Sequence, residues 1–203
     1  EEENIFINVT QAGDKVTKHI DISYELEAMS IPAFEDYLVT EIGQRLGAAI
    51  ADEIVSKIKS GLAAANKFGA STPGTLDLKD VLKGFASLKG ASNVVVYANN
   101  KTLYNDLYSL EGSDGRRAFV DNFQDGIAGR LLGKAVKEEA SVADGDVLIV
   151  DPKQFTWNEV RGITFERDRD IKKGVVTIAG HAIGSGSLTN DKAGAIVEVG
   201  VAA

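Results

Sequence analysis

The chain has 203 residues, a formal net charge of -8 and an apolar content of 44%, which suffices for the core of one large domain or of two intertwined ones. It has no cysteine, so disulfides and thiolate metal sites are excluded, and no apolar run approaches the roughly 20 residues that cross a bilayer. The acidic balance argues against a nucleic-acid-binding surface, which normally carries a basic stripe.

The first predicted element is a β-hairpin. Apolar and polar residues alternate over 5–9 and again over 15–22, and the turn-forming residues Gln11-Ala-Gly-Asp14 lie between them. Because an isolated two-stranded hairpin is marginal in water, we expect it to pack on its own domain or on a neighbouring subunit.

A long helix follows, for which Ser30 and Pro32 supply a capping side chain and a first-turn residue. We expect it to end at Gly61 or Gly69. Each four-residue step of an apolar stripe advances about 40° around the axis, so the stripe winds around a helix of roughly 48 Å. We therefore expect different partners along its length, and we interpret the helix as a spine that a lone chain cannot cover. The stripe consists of Phe34, Leu38, Ile42, Leu46, Ile50, Ile54, Ile58 and Leu62.

The rest of the chain predicts mixed α/β and then β structure. Helices are expected over 76–88 and 101–110. This order of elements predicts an α+β fold with two subdomains. Strands are expected over 93–97, 130–138, 146–150, 163–167, 174–183 and 195–201.

Two glycine-rich segments resemble nucleotide-binding motifs and fail their requirements. In 128–135 a P-loop would need glycine at Ala128 and a hydroxyl at Ala135, so we interpret the segment as a turn. Gly184-Ser-Gly-Ser187 lacks the third glycine and the following helix of a dinucleotide fingerprint, and we interpret it as a flexible connection between strands.

The titratable side chains do not match the sequence pattern of a known catalytic site. His19 and His181 are expected on separate strands, on a solvated face or in an interface, without metal-ligand spacing. Asp168 and Asp170 flank Arg169, which favours a charged turn or an intersubunit ion-pair patch over acid–base catalysis. We predict no enzyme activity, no cofactor and no metal.

Three stretches carry a family resemblance. Residues 19–27 and 32–34 lead into the long helix as a strand and an "S-x-E-L" turn. Residues 93–116 and 127–134 follow as a strand, a helix, a "D-G-R" turn and a strand of the "L-x-G-x-P-V" type. Residues 146–151, then 163–167 and a long closing strand pair, complete the pattern. In order and spacing these stretches resemble the major capsid proteins of tailed bacteriophages, which have the Hong Kong ninety-seven fold.

The resemblance implies a domain organisation. Residues 1–22 would form the base of the extended loop, 23–74 and 164–192 the peripheral domain, and 75–163 and 193–203 the axial domain. It also implies an assembly interface that includes Ile5, Ile7, Phe34, Leu38, Ile42, Arg116, Arg117, Phe119, Glu166, Arg167, Asp168 and Arg169.

The function implied is that of a structural subunit that self-assembles into pentamers and hexamers of an icosahedral phage head around double-stranded DNA. The resemblance allows scaffold, portal and accessory capsid proteins as partners, no sequence-specific DNA binding and no membrane. Assembly would occur in the host bacterial cytoplasm, and the opening Glu1-Glu2-Glu3 predicts no secretory signal.

The sequence departs from the family pattern in two ways. Ala135 replaces a proline often found at that position, and the N-terminal arm and outer part of the extended loop have no counterpart in this sequence. Two alternatives stay open. One is an encapsulin-like compartment shell, and the other is a soluble α+β enzyme or ligand-binding domain whose site leaves no motif.

Overall fold

The structure is a computed structural model that describes residues 13–29, 32–112, 115–121 and 128–202. The helices, in chain order, are α1 (Tyr24–Met29), α2 (Pro32–Gly61), α3 (Leu78–Ser87) and α4 (Asn100–Thr102), which continues as a π-helical turn over Leu103–Leu107. The strands are β1 (Asp14–Ser23), β2 (Lys67–Ala70), β3 (Val95–Ala98), β4 (Phe119–Asp121), β5 (Gly129–Leu131), β6 (Lys134–Glu138), β7 (Asp146–Val150), β8 (Phe155–Asp170), β9 (Val175–Leu188) and β10 (Gly194–Ala202). Short 3₁₀ turns cover Ala64–Asn66 and Pro152–Gln154.

The chain divides into two compact units. The first unit comprises residues 1–54 and 157–187, and the second comprises 55–156 and 188–203. The division differs from the sequence-based boundaries, because 55–74 and 188–192 fall in the second unit and 157–163 in the first. The peripheral and axial roles of the two units stay predictions.

The first unit is built on a three-stranded sheet in the order β1-β9-β8. β1 is antiparallel to β9, with Asp14 opposite Gly184 and Ser23 opposite Val175. The strand predicted over 15–22 is confirmed as β1, and it is paired with β9. The other strand of the predicted hairpin, 5–9, lies outside the described residues. Gly184-Ser-Gly-Ser187 lies within β9, so the prediction of a flexible connection there is wrong.

The spine helix is continuous over 30 residues, about 45 Å, and it ends at Gly61, one of the two predicted ends. Its apolar stripe begins in the first unit and ends in the second. Leu38, Ile42 and Leu46 are buried in the first unit with Ile22 and Ile178.

Farther along the stripe, Ile50 and Ile54 are half-buried, and Ile58 and Leu62 are buried. The expectation that the chain cannot cover this stripe itself is therefore wrong for most positions. The physical reason is that successive turns of the stripe face different parts of the same chain.

The second unit contains a seven-stranded mixed sheet in the order β2-β10-β7-β3-β6-β5-β4. Val96 of β3 lies opposite Ile149 of β7 and Val136 of β6, at the centre of the sheet. Val81 of α3 and Leu103 after α4 pack in the same core. The predicted helices over 76–88 and 101–110 and strands over 93–97 and 146–150 are thereby confirmed to within a few residues.

The segment predicted as one strand over 130–138 is a hairpin of β5 and β6. Leu131 and Lys134 are paired, and the two residues between them have positive φ angles, 51° at Leu132 and 80° at Gly133. The expected turn in the P-loop-like segment is confirmed, and the prediction of an unbroken strand is wrong.

A buried acid, Asp151, anchors the loop that precedes β3. The carboxylate of Asp151 accepts hydrogen bonds from the backbone N–H groups of Ser92, Asn93 and Lys153 at 2.8–3.0 Å. The hydrogen bond from the N–H of Asn93 has the largest effect on the pKa of Asp151 and lowers it. Burial acts to raise the same pKa, which nevertheless remains below its ordinary value. These bonds tie the loop before β3 to the end of β7.

Candidate assembly surfaces

The apolar interface residues predicted on the spine helix lie in the core of the first unit. Ile42 and Leu38 are buried there, and Phe34 is half-buried against the same core. A Cβ atom at Gly180 of β9 would lie 2.6 Å from Cγ2 of Ile42, so helix and sheet are in close contact. These side chains stabilise their own unit and offer little surface to another subunit.

The predicted interface residues around Phe119 divide between core and surface. Phe119 is buried in the second unit, where its ring lies 4.6 Å from that of Tyr108. Arg116 and Arg117 are exposed beside it. Ile5 and Ile7 lie outside the described residues. Of this predicted set, only the two arginines remain candidates for a surface contact.

The charged stretch 166–169 lies on β8, an edge strand of the first sheet, and its side chains are exposed. Arg167 and Arg169 both donate to Oε1 of Glu27 on α1, and the Arg169 bond is 2.9 Å long. This stretch is therefore part of a strand and not a turn. Its arginines pair within the chain, and Asp168 remains exposed.

One end of the first unit exposes several apolar side chains that the sequence reading did not select. The N–H of Tyr24, at the start of α1, donates to the carbonyl of Gly174 in the β8–β9 turn, so these two segments adjoin. Ile171 in that turn is 85% exposed, and Met29 at the end of α1 is 76% exposed. An apolar residue in a turn between Asp170 and two lysines is the signal that could have identified this surface.

Edge strand β8 also exposes Val160, Ile163 and Phe165. Ile163 lines an open cavity of about 350 Å³ together with Trp157 and Arg161 of β8, Ile50 of α2 and residues of β1 and β9. The lining is largely apolar, and no set of acid, base and nucleophile converges on it.

The histidines and acids do not form a reactive centre in the part of the chain that the structure describes. His19 is exposed on β1, whereas His181 is buried on β9, with its Nε2 atom 3.6 Å from Oε1 of Glu166. The solvated or interfacial position expected for His181 is thus wrong, because it lies on the central strand. The described residues contain no cluster of three or more potential metal ligands.

Membrane-spanning helices are likewise not found: none of the described helices combines the length and the apolar character that a bilayer crossing needs. The described surface offers exposed apolar side chains and charged residues on strands at the edges of the described sheets. These features fit contacts with other protein chains.

Comparisons with known proteins agree with this interpretation. A family model described as "Phage capsid family" matches residues 2–199. The capsid of a native GTA particle has a TM-score of 0.77 at 17% identity, covering 95% of this chain and 74% of that one. A chain from Mycobacterium phage Bobi has a TM-score of 0.68 at 14% identity, with 93% and 72% covered.

The SrpI encapsulin of Synechococcus elongatus PCC 7942 has a TM-score of 0.67 at 13% identity, with 92% of this chain and 74% of that chain covered. No curated protein matches. Because the family model spans nearly the whole chain and these structures share its fold, the chain belongs to the phage capsid family and is a major capsid subunit with the Hong Kong ninety-seven fold.

Proposed function

We propose that copies of this chain assemble as pentamers and hexamers into a closed icosahedral phage head that encloses double-stranded DNA. The observation that carries the proposal is the exposed apolar end of the first unit, formed by Leu26, Met29 and Ile171. Exposed apolar surface of this kind is typical of a protein that buries it against other chains.

The proposed interface differs from the one that the sequence suggested. Arg116, Arg117 and the stretch 166–169 stay in it because they are exposed, and the buried Leu38, Ile42 and Phe119 leave it. The first unit would then act as the peripheral domain and the second as the axial domain. A contact of this mixed character, with apolar centres and charged rims, is typical of protein interfaces.

Enclosure of DNA would not require sequence recognition. The net charge of -8 disfavours adhesion of the shell to DNA, which lets DNA fill the interior without binding tightly to its wall. Assembly would take place in the host bacterial cytoplasm, with scaffold, portal and accessory proteins as further partners.

Sedimentation velocity of the full-length gene product, with an Ile171→Ser variant beside it, tests the proposal. We expect rings or shells for the wild type and a clear loss of assembly for the variant, because an exposed side chain contributes little to folding. Ile171→Val, which stays apolar, is the matched control and should assemble. A wild type that sediments as a monomer at every concentration contradicts the proposal.

An encapsulin-like shell is the second candidate, favoured by the fold shared with the SrpI encapsulin. The contents of purified particles separate the two candidates. Nuclease-protected double-stranded DNA supports the phage head, and a co-purifying protein cargo without DNA supports the compartment.

A further inference from the structure

The β5–β6 turn has a sequence that is unusual for its backbone conformation. A two-residue hairpin loop with positive φ at both positions is normally Asn-Gly or Asp-Gly. Here the first position is Leu132, whose side chain has a Cβ and no polar atom to compensate for the left-handed conformation, and the second is Gly133.

The described contacts within the subunit compensate little for this unfavourable backbone conformation. Leu132 is 42% exposed, and a Cβ atom at Gly133 would meet none of the described residues within 4 Å. The hydrogen bond between the N–H of Leu132 and the carbonyl of Ala118, 3.3 Å long, uses the backbone and would form with any residue except proline. Unfavourable local conformations of this kind persist where a function requires the side chain.

Three cations lie around the turn, and the exposed Glu111 lies opposite one of them, Arg117, in an isolated β-bridge. Lys134 follows it directly, Arg130 precedes it on β5, and Arg117 adjoins Ala118; all three are exposed. Val120, which is paired with Arg130 across β4 and β5, is 63% exposed. We call Leu132, Val120 and these three cations the basic tip.

The opposite end of the same strands is acidic. β6 begins at Lys134 and ends at Glu138, about 14 Å away at the usual rise per residue. Glu138 is exposed, and the following Glu139 donates its N–H to the carbonyl of Ala98 at the end of β3. Asp144 joins them there and accepts from the side chains of Asn99, the residue that caps α4, and of Lys101. Because Lys101 offsets its charge, the net negative charge of this end comes from Glu138 and Glu139.

An exposed aromatic surface lies on the helical segment that begins beside this end. Tyr104 is 55% exposed and stacks on Tyr108 with ring centroids 5.3 Å apart, in the turn that continues α4. Tyr108 also packs on Phe119, so this aromatic surface extends from α4 toward β4. Its exposed ring, Tyr104, suits an apolar side chain of a neighbouring copy. We call Glu138, Glu139 and Asp144 the acidic end.

We infer that the basic tip of one copy binds the acidic end of the second unit of a neighbouring copy, with Leu132 as its central apolar contact. The inference rests on the proposed assembly function and specifies its geometry. Unlike ends attract and like ends repel, so the contact is head-to-tail. A head-to-tail contact that closes produces a ring, whereas a two-fold contact pairs identical surfaces.

The first test is Leu132→Asn in the full-length gene product. Asparagine tolerates the left-handed conformation, so the melting temperature should rise by about 2–4 °C at a concentration where both proteins are monomeric. Ring or shell yield in sedimentation velocity should nevertheless fall at least about tenfold, because the apolar contact is gone. Leu132→Met, which keeps an apolar side chain, should assemble as the wild type does.

The second test exchanges charges. Lys134→Glu and Glu138→Lys should each reduce assembly, and the double variant should recover it, because both ends of every copy are then reversed. A two-fold tip-to-tip contact would give no such recovery, and this result would overturn the head-to-tail assignment.

Two results with Leu132→Asn would also overturn the inference: unchanged assembly, or a lowered melting temperature, which would place the role of Leu132 within the subunit. These outcomes differ from a failure of the proposed function, in which the wild type itself forms neither rings nor shells.

Discussion

Gly180 and Ile42 lie so close together that a Cβ atom at position 180 would be 2.6 Å from Cγ2 of Ile42. The same atom would lie 2.8 Å from Cδ1 of Leu46, the next buried residue of the helix stripe. The contact between α2 and the central strand of the first sheet therefore requires a residue without a side chain. It explains why a glycine occupies the middle of β9.

Gly180→Ala should destabilise the subunit by about 1–3 kcal/mol, because the added methyl group overpacks the core. Denaturant unfolding of the unassembled subunit measures this change. Gly47→Ala is the matched control, since it lies exposed on α2 and a Cβ there meets nothing within 4 Å. That variant should gain up to about 1 kcal/mol from helix propensity. Equal effects of the two substitutions would contradict the packing argument.

Ile42→Ala should affect the stability of the subunit, whereas Asp168→Lys should affect its association with other copies. Removal of the buried Ile42 side chain should lower the free energy of unfolding by about 2–5 kcal/mol. Asp168 is exposed on β8, so its substitution should change that free energy by less than about 0.5 kcal/mol. If Asp168 lies in an interface, as we propose, only its variant should assemble poorly at unchanged subunit stability.

Lys59 links α2 to two carboxylates of the second unit, at 2.8 Å from Asp146 and 2.7 Å from Glu198. Burial acts to lower the pKa of Lys59, but its bonds to Asp146 and Glu198 outweigh burial and raise it. A raised folded-state pKa stabilises the protein below the unfolded value of 10.5, and this contribution is lost as pH rises through the folded value.

The unfolding free energy of the wild type should therefore fall above about pH 10.5, and that of Lys59→Met should fall less steeply. Thermal melts of both proteins between pH 8 and 12 measure the difference. Parallel curves for the two proteins would show that the ion pair contributes nothing to this loss.

Asp151 should make the subunit sensitive to acid. Its folded-state pKa lies below the ordinary value of 3.8, so its contribution is present above that pH and is lost as pH falls through the lower folded value. Asp151→Asn should cost about 1–3 kcal/mol near neutral pH, because the amide cannot accept all of the backbone bonds. The free energies of unfolding of wild type and variant should begin to converge as pH falls below 3.8 and should approach each other as it passes the lower folded value; a constant difference would contradict this role.

The long helix and the buried strands could be predicted from the sequence because their apolar residues repeat with a clear period. The first half of β8 was missed, since Asn158, Glu159 and Gly162 interrupt its pattern on an exposed edge. In the sequence, Gly184 and the serines after it predict a flexible connection. Gly184 is instead a point of close approach, where a Cβ atom would lie 2.5 Å from the ring of Trp157.

Interface residues were harder to predict than core residues. Periodicity identifies apolar side chains that must be buried, but it does not tell whether the same chain or a neighbour buries them. The sequence therefore predicts Leu38, Ile42 and Phe119 in an interface, whereas they lie in a core. Ile171 and Leu132 lie in turns, where no period selects them, and only the folded chain reveals their exposure.

A cryo-electron microscopy reconstruction of particles purified from cells that express the full-length gene product tests the central claim most directly. The account predicts closed shells in which this fold repeats around five-fold and six-fold axes, with the exposed end at Ile171 and the turn at Leu132 both buried against neighbouring copies. Isolated subunits, or particles in which both surfaces face solvent, would contradict it.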